Sequence, residues 1–419
     1  MRSIQAFTRE VDDIGLAVSE LSAGIDRSLF MKNTCGIVFC GFEPDMNALV
    51  RELKKSFDFP FFGCTGIGVL STNGYSQSSI SLLVLTADDV EFSIGMTEEI
   101  KTSSDIRFFG ETYHACRREL SYKGEFNSAK QSKGENPAGT GQAGNRKEKL
   151  IFTYVPWLSD ITFDDIVSLL DEESGQVPIY GGIASDGWTF DSSYVFTDRG
   201  ASQSRGVMMV LVGNVNPIFT IEHSTTLTTN LHKVVTKAEG TVVYELDGKP
   251  VTNFIRDMGL ITDKTSVILD FLGTPFLATQ KTKDGDEIDT LRCLGVIDHE
   301  KQACGYIGKI EEGSELNMVL ISKEDIENSV KAAFDQILSQ IEKSEDYQYS
   351  SIFCSSCAAR YCLLVADKNA EGRAYEGRLP ENVNVQGVYI YGEFCPAHGK
   401  HRGGLYNVLS NETFTILAM

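Results

Sequence analysis

The sequence predicts an α/β protein with mixed sheets, built from repeated strand-helix-strand-strand units in a two-part architecture. One pattern carries most of that expectation. An apolar strand, a connection able to hold a helix, and a second apolar strand ending at small residues occur three times. The copies run from Cys35-Gly36-Ile37-Val38-Phe39 to Pro60-Phe61-Phe62-Gly63-Cys64-Thr65-Gly66, from Leu150–Val155 to Pro178–Ala184, and from Ile352-Phe353-Cys354 to Val385–Glu393. A further strand-like run follows each copy, at Ile80–Thr86, Gly206–Val212 and Gly403–Leu409. The 419 residues, 42% of them apolar, supply a core large enough for about two or three domains of ~150 residues. Repeated units with glycine at the strand end predict turns that gather at one sheet edge, and function is expected there.

The elements follow in order. Between residues 4 and 30, Val11, Ile14, Val18, Leu21 and Ile25 recur at three-and-four spacing, which predicts an amphipathic helix packed on the first sheet. Residues 45–57 repeat the pattern with Met46, Leu49, Val50 and Leu53, and Pro44 suits a helix start. From Ser121 to Lys149 the composition turns to Gly, Ser, Lys, Gln and Asn. Such a segment buries too little to offset its ordering entropy, so a disordered surface insertion is expected within the first domain. Pro217–Ile221 reads as a strand opening the second part, and Pro250–Met258 as a helix stopped by Gly259. Ser322 and Asp325 form an approximate capping box before an apolar face of Ile326, Val330, Ala333, Phe334, Ile337 and Ile341. The expected domains are 1–216 and 217–419.

Charge narrows the partners. With 58 acidic against 38 basic side chains the net charge is −20, which repels phosphate backbones and anionic lipid surfaces, so no nucleic-acid partner is expected. The first 30 residues lack a signal-like apolar core, and no run approaches the ~20 apolar residues of a membrane span. A cytoplasmic location with no membrane span is expected, and the ten scattered cysteines are expected to be reduced.

Several motifs resemble the FIST sensory domain, with its N-terminal and C-terminal parts. Phe62–Gly68 is similar to an early small-residue turn of that family, and Gly181–Gly187 to its later Gly-Gly turn. The C-terminal resemblance rests on Thr236–Gly240 with Tyr244–Pro250, Ile310–Ser314, Cys357-Ala358-Ala359-Arg360, Gly387–Glu393 and Asn411-Glu412-Thr413, in the family's order. The resemblance implies a signal-input module for small ligands such as amino acids, with haem and nitric oxide sensing in some relatives. Since the chain stops at Met419 after a final strand pattern, the output is expected to come from a separate signalling protein.

The candidate ligand residues are Arg360, Tyr391, Glu393 and Asn411, with Thr65, Ser185 and Asp186 beside the N-terminal turns. Arg360, read at the end of the strand from Ile352, offers a fork for a carboxylate, and Glu393 an acceptor for an amine; the same two charges also suit an internal salt bridge. Gly63, Gly66, Gly181, Gly182 and Gly387 permit close backbone approach or an anion-binding turn, though no phosphate-loop or dinucleotide pattern is present. Cys354, Cys357, Cys395 and His398 have the ligand types of a zinc site, with Cys362 and His401 nearby. In a strand, however, residues three apart point to opposite faces. Haem would draw on His114, His223 or His232, none in an attachment motif. No cofactor is predicted. The rival readings are a haem- or metal-binding gas or redox sensor, and a thiol enzyme using Cys64 or Cys357.

Overall fold

The structure is a computed structural model; it describes residues 1–131, 148–224, 227–260, 271–365 and 367–419. The first unit comprises β1 (Arg2–Thr8), α1 (Ile14–Gly24), β2 (Asn33–Cys40), α2 (Met46–Ser56), β3 (Phe61–Thr65), the hairpin β4 (Val69–Ser71) and β5 (Gly74–Ser76), and β6 (Ile80–Ala87). The second repeats it with β7 (Val90–Met96), α3 (Arg107–Gln131), β8 (Glu148–Val155), α4 (Phe163–Ser174), β9 (Ile179–Ile183), the hairpin β10 (Val195–Thr197) and β11 (Gly200–Ser202), and β12 (Val207–Gly213). The third opens with β13 (Ile218–His223). It is then interrupted by β14 (Leu227–Glu239), β15 (Val242–Leu246), β16 (Lys249–Pro250), α5 (Val251–Asp257), β17 (Phe276–Lys281), β18 (Glu287–Arg292), β19 (Leu294–Asp298), β20 (Ala303–Tyr306) and β21 (Glu315–Leu320). It resumes with α6 (Lys323–Glu342), β22 (Ser351–Cys357), α7 (Ala358–Leu363), α8 (Ala370–Tyr375), β23 (Asn384–Ile390), the hairpin β24 (Gly392–His398) and β25 (Leu405–Ser410), and β26 (Thr413–Ala418).

Three six-stranded sheets result, with the same order: β1-β6-β2-β3-β10-β11, β7-β12-β8-β9-β24-β25 and β13-β26-β22-β23-β4-β5. In each, the third and fourth strands are parallel and every other pairing is antiparallel. The fifth and sixth strands are borrowed. The hairpin of the first unit joins the sheet of the third, that of the second joins the first, and that of the third joins the second. The exchange closes a ring in which no unit completes its own sheet. The inserted segment forms a fourth sheet, β18-β17-β21-β14-β15-β20-β19, with its own core around Val243, Ile255, Phe276 and Leu316. The protein is thus a mixed α/β fold. Position 216 falls between β12 and β13, where the second unit meets the third.

The glycines explain how the ring closes. Gly63, Gly181 and Gly387 stand opposite Val38, Thr153 and Cys354 in the three parallel pairs, at equivalent positions. A Cβ there would lie 1.8, 1.8 and 2.6 Å from the facing carbonyl oxygen, closer than any real side chain tolerates. They therefore serve close strand approach inside β3, β9 and β23, rather than the turns beyond. The residue before each glycine reaches into the neighbouring unit. The Phe62 ring meets Phe152 at 5.4 Å, the Tyr180 hydroxyl donates to the Phe353 carbonyl at 3.0 Å, and the Gln386 amide donates to the Ile37 carbonyl at 3.0 Å.

Three expectations change. Residues 4–30 are not one helix, because residues 2–8 pair with β6 as an edge strand; the apolar face begins at Ile14, after Asp13 caps α1. The third copy's closing strand is β26, and Gly403–Leu409 overlaps the second strand of the exchanged hairpin. The segment 121–149 is not wholly irregular: α3 extends to Gln131 and β8 starts at Glu148, while 132–147 lie outside the described residues. Elsewhere the periodicities hold. Asp45 accepts from the Asn47 and Ala48 N–H groups at the start of α2, and Ser322 and Asp325 complete a reciprocal capping box before α6. Among the described residues no helix is long and apolar enough to cross a membrane.

Candidate functional site

The three turns beyond β3, β9 and β23 meet. The Thr65 hydroxyl donates to the Ser185 carbonyl at 2.9 Å and accepts from the Tyr194 N–H at 2.9 Å. The Ser185 hydroxyl donates to the Tyr389 carbonyl at 2.6 Å and accepts from the Ile67 N–H at 3.0 Å, so one side chain ties all three units. Tyr391 donates to Asp186 Oδ1 at 2.5 Å. The same carboxylate accepts from the N–H groups of Thr189, Phe190, Asp191 and Ser192 and from the hydroxyls of Thr189 and Ser192. Burial pushes the Asp186 carboxyl up, but the Tyr391 hydroxyl and these donors outweigh it and hold it well below the usual range. Thr65, Ser185, Asp186 and Tyr391 are therefore brought together with their polar atoms engaged inside the protein.

The Asp186 loop carries two bulky residues in the left-handed region, Trp188 at φ 72° and Phe190 at φ 58°, a conformation such side chains rarely adopt without support. Phe190 stacks on Tyr391 at 4.4 Å, and Trp188 packs against the cluster of Leu272, Cys293, Cys357 and Ala359. Replacing Asp186 by asparagine removes one acceptor-only oxygen from this clasp. A loss of about 2 kcal/mol in unfolding free energy is expected by urea denaturation. A variant as stable as the parent would show that the loop holds its shape without the carboxylate.

The second group lies where the inserted domain meets the third unit. Arg360 sits in α7, not at a strand end, because β22 stops at Cys357. Its partner is Glu371 of α8, not Glu393. Both are fully buried, with Arg360 Nε and Nη2 each 2.8 Å from Glu371 Oε1. The remaining donors reach Ser224, the Ser329 hydroxyl at 3.0 Å and the Ile326 carbonyl at 3.3 Å. Glu393, near the start of β24, accepts from the Thr413 hydroxyl at 2.6 Å. Asn411 and Glu412 form the turn between β25 and β26, with Glu412 at φ 53°. From the inserted domain, the Cys293 N–H donates to Asn411 Oδ1 at 3.3 Å, and its thiol to Glu412 Oε1 at 3.2 Å.

Four polar atoms of this group have no well-formed hydrogen bond, Glu371 Oε2, Glu393 Oε1, Glu412 Oε2 and Asn411 Nδ2, with the Tyr389 hydroxyl beside Glu371 and the Cys357 thiol beside Glu393. Buried polar groups are rarely left so, which makes this cluster the candidate site. Burial pushes the Glu393 carboxyl well above its ordinary value against the pull of Thr413 and the Arg360 charge. Burial likewise raises Glu412 to about 8, opposed by the Cys293 thiol and Arg360. Sequence reasoning found Arg360, Glu393 and Asn411 but passed over Glu371, Cys293 and the carboxylate of Glu412. Glu371 lies in the short helix α8 and Cys293 in the interrupting domain, and no local pattern links either to the others.

The thiols named for other chemistry are dispersed. Cys354, Cys357 and Cys395 pack into three separate cores, and His398 is exposed at the end of β24. Among the described residues no group of three or more His, Cys, Asp and Glu side chains is arranged to hold a metal ion. Cys64 and Cys357 are both pushed well above the ordinary thiol range by burial, away from thiolate character. For the haem candidates, His114 is engaged with Glu173 at 2.7 Å and His232 lies 3.7 Å from Glu315. His223, at the end of β13, has its imidazole pKa lowered by burial.

The sequence matches two family models, the FIST N domain over residues 34–249 and the FIST C domain over residues 262–396. The chain belongs to the FIST family, whose members are sensory-type domains. An uncharacterised protein of Methanocaldococcus jannaschii is 27% identical over 234 residues; the match covers 54% of this chain and 43% of that protein, less than half its length. Among solved structures, a cyanuric acid hydrolase from A. caulinodans aligns with a TM-score of 0.32 at 9% identity, over 99% of this chain and 98% of that one. Another cyanuric acid hydrolase structure aligns with a TM-score of 0.28 at 8% identity, over 77% and 99%. Likenesses this distant have no bearing on activity here.

Proposed function

We propose that the buried carboxylate cluster beside the inserted domain binds a small amine-bearing ligand, with a free amino acid as the favoured class, and that the protein is a cytoplasmic sensor read by a separate signalling partner. One observation carries the reading: three buried carboxylates, each with an unpartnered oxygen, lie around a single guanidinium already engaged by one of them. An ammonium group carries donors of the kind these oxygens lack. A ligand carboxylate would meet the unpartnered Asn411 amide, while Arg360 holds Glu371 in place. The Asp186–Ser192 loop, through Trp188, forms part of the wall, and Thr65, Ser185 and Tyr391 fix the turns behind it. Occupancy would favour one placement of the inserted domain over another, and a partner would read that difference in population.

Both tryptophans of the chain, Trp157 and Trp188, pack on Tyr391, and Trp188 also on the cluster that holds Cys293 and Cys357, so intrinsic fluorescence is the readout. Titration with amino acids, simple amines and simple carboxylates is expected to give a saturable change with the amine-bearing compounds alone. Glu393→Gln should weaken it about tenfold, the worth of one charge-assisted hydrogen bond. Equal responses to carboxylates lacking an amine, or none from any compound, would sink the proposal.

A further inference from the structure

A cleft of about 580 Å³ opens on the other side of Arg292, walled by β17 and β18 of the inserted domain, α4 of the second unit and β25 of the third. That volume is typical of metabolite sites. We propose that it is a second ligand site, for an uncharged polyhydroxylated compound of the size of a mono- or disaccharide.

The charges lining the cleft disfavour an ion of either sign. Two of its cations are already matched, Arg292 by Asp164 at 3.0 Å and Lys309 by Asp165. Among the described residues five lining charges have no ion pair, Lys281 and Lys283 against Asp171, Asp284 and Glu311. Asp171 accepts from the neutral Asn407 amide at 2.7 Å and Asp284 from the Tyr406 hydroxyl at 2.7 Å, so both keep their charge unmatched. On a chain of net charge −20, the unmatched charges of this cleft come within one of cancelling. An anion would meet three carboxylates, and a cation two ammonium groups. A neutral hydroxyl serves both kinds, donating to a carboxylate and accepting from an ammonium. An amino acid has one group of each sign and leaves the other charges unserved, whereas several hydroxyls on one skeleton reach them together.

A second feature is independent of charge. Ile288, Thr290 and Arg292 alternate along β18 and so share one of its faces, and all three line the cleft. Thr290 is 2% exposed, and its hydroxyl has no hydrogen-bond partner. A ligand hydroxyl would satisfy it as donor or as acceptor. Val167, Ile288 and Leu409 add apolar wall for the C–H face of a sugar ring. A ligand there would touch the inserted domain and two ring units at once.

Calorimetric titration of the full chain with glucose, maltose, glucuronate, glucosamine and alanine tests the site. Glucose or maltose is expected to bind saturably, and the charged counterparts glucuronate and glucosamine no more tightly than the better of the two. Ser168 is exposed on the α4 wall, and Ser168→Trp should obstruct the cleft and weaken binding about tenfold or more without changing the melting curve. Thr290→Val should weaken it about threefold, the worth of one neutral hydrogen bond. The melting temperature of that variant should stay level or rise, because the hydroxyl has no partner in the empty protein. Glu393→Gln, in the separate carboxylate cluster, should leave sugar binding unchanged. No binding by either sugar, or sugar binding that survives Ser168→Trp, would overturn the proposal. So would tighter binding of glucuronate or glucosamine, which makes charge the selector, or alanine binding abolished by Ser168→Trp, which makes the occupant a zwitterion.

Discussion

Arg360→Ala is expected to lower the unfolding free energy by roughly 3–5 kcal/mol, the usual cost of removing one partner from a buried ion pair. Both ends of the pair are fully buried, so the substitution leaves Glu371 as an uncompensated carboxylate in a low-dielectric interior. It also strips donors from Ser224, Ser329 and the Ile326 carbonyl, and with them a tie between α6, α7 and the start of the inserted segment. Replacing both partners, as in Arg360→Met/Glu371→Leu, should recover much of the loss, because two apolar side chains of similar size need no counter-ion. Urea denaturation of the three forms measures this directly. If Arg360→Ala unfolds at the parent concentration and loses only ligand affinity, the guanidinium faces the ligand in solution and Glu371 is not its necessary partner.

That expectation differs from the one the sequence invites. Arg360 and Glu393 are the conspicuous opposite charges of the third repeat, and a strand running on to residue 360 would set them at one edge. The chain turns into α7 at Ala358 instead, which carries the guanidinium to Glu371, a residue with no periodic pattern around it. The threefold repeat was legible because each parallel pair needs apolar strands and a glycine facing a carbonyl, and both leave local marks. The exchange of hairpins was not legible. A hairpin such as Val69–Ser76 has the same composition whether it completes its own unit's sheet or another's. The carboxylate cluster was half legible for a similar reason: Glu393 and Asn411 stand at strand-end turns, whereas Cys293 reaches them only through an inserted domain more than 100 residues earlier in the chain than Asn411.

The buried carboxyls also set a pH dependence. Glu412 titrates near 8 in the folded protein against an ordinary value of 4.5, so the native chain holds a proton that the unfolded chain has lost across that interval. Its contribution to stability is fully present below pH ~4.5, declines as the pH rises towards about 8, and is level beyond, a total of roughly 3–5 kcal/mol. Glu393, raised by burial as well, adds to the slope. Asp186 acts in the opposite sense and elsewhere: its lowered carboxyl gives stability that is lost only as the pH falls below its ordinary value of 3.8. Glu412→Gln keeps the shape but holds no titrating proton. It should match the parent near pH 5, exceed it by a few kcal/mol at pH 8, and flatten the curve of urea midpoint against pH. An unchanged slope in this variant would mean that Glu412 is ionised in the folded chain throughout. An ammonium ligand favours the charged carboxylates, so its binding should release protons and tighten as the pH rises. The interval in which the empty protein loses stability is thus the one in which a ligand of the proposed class has most to restore.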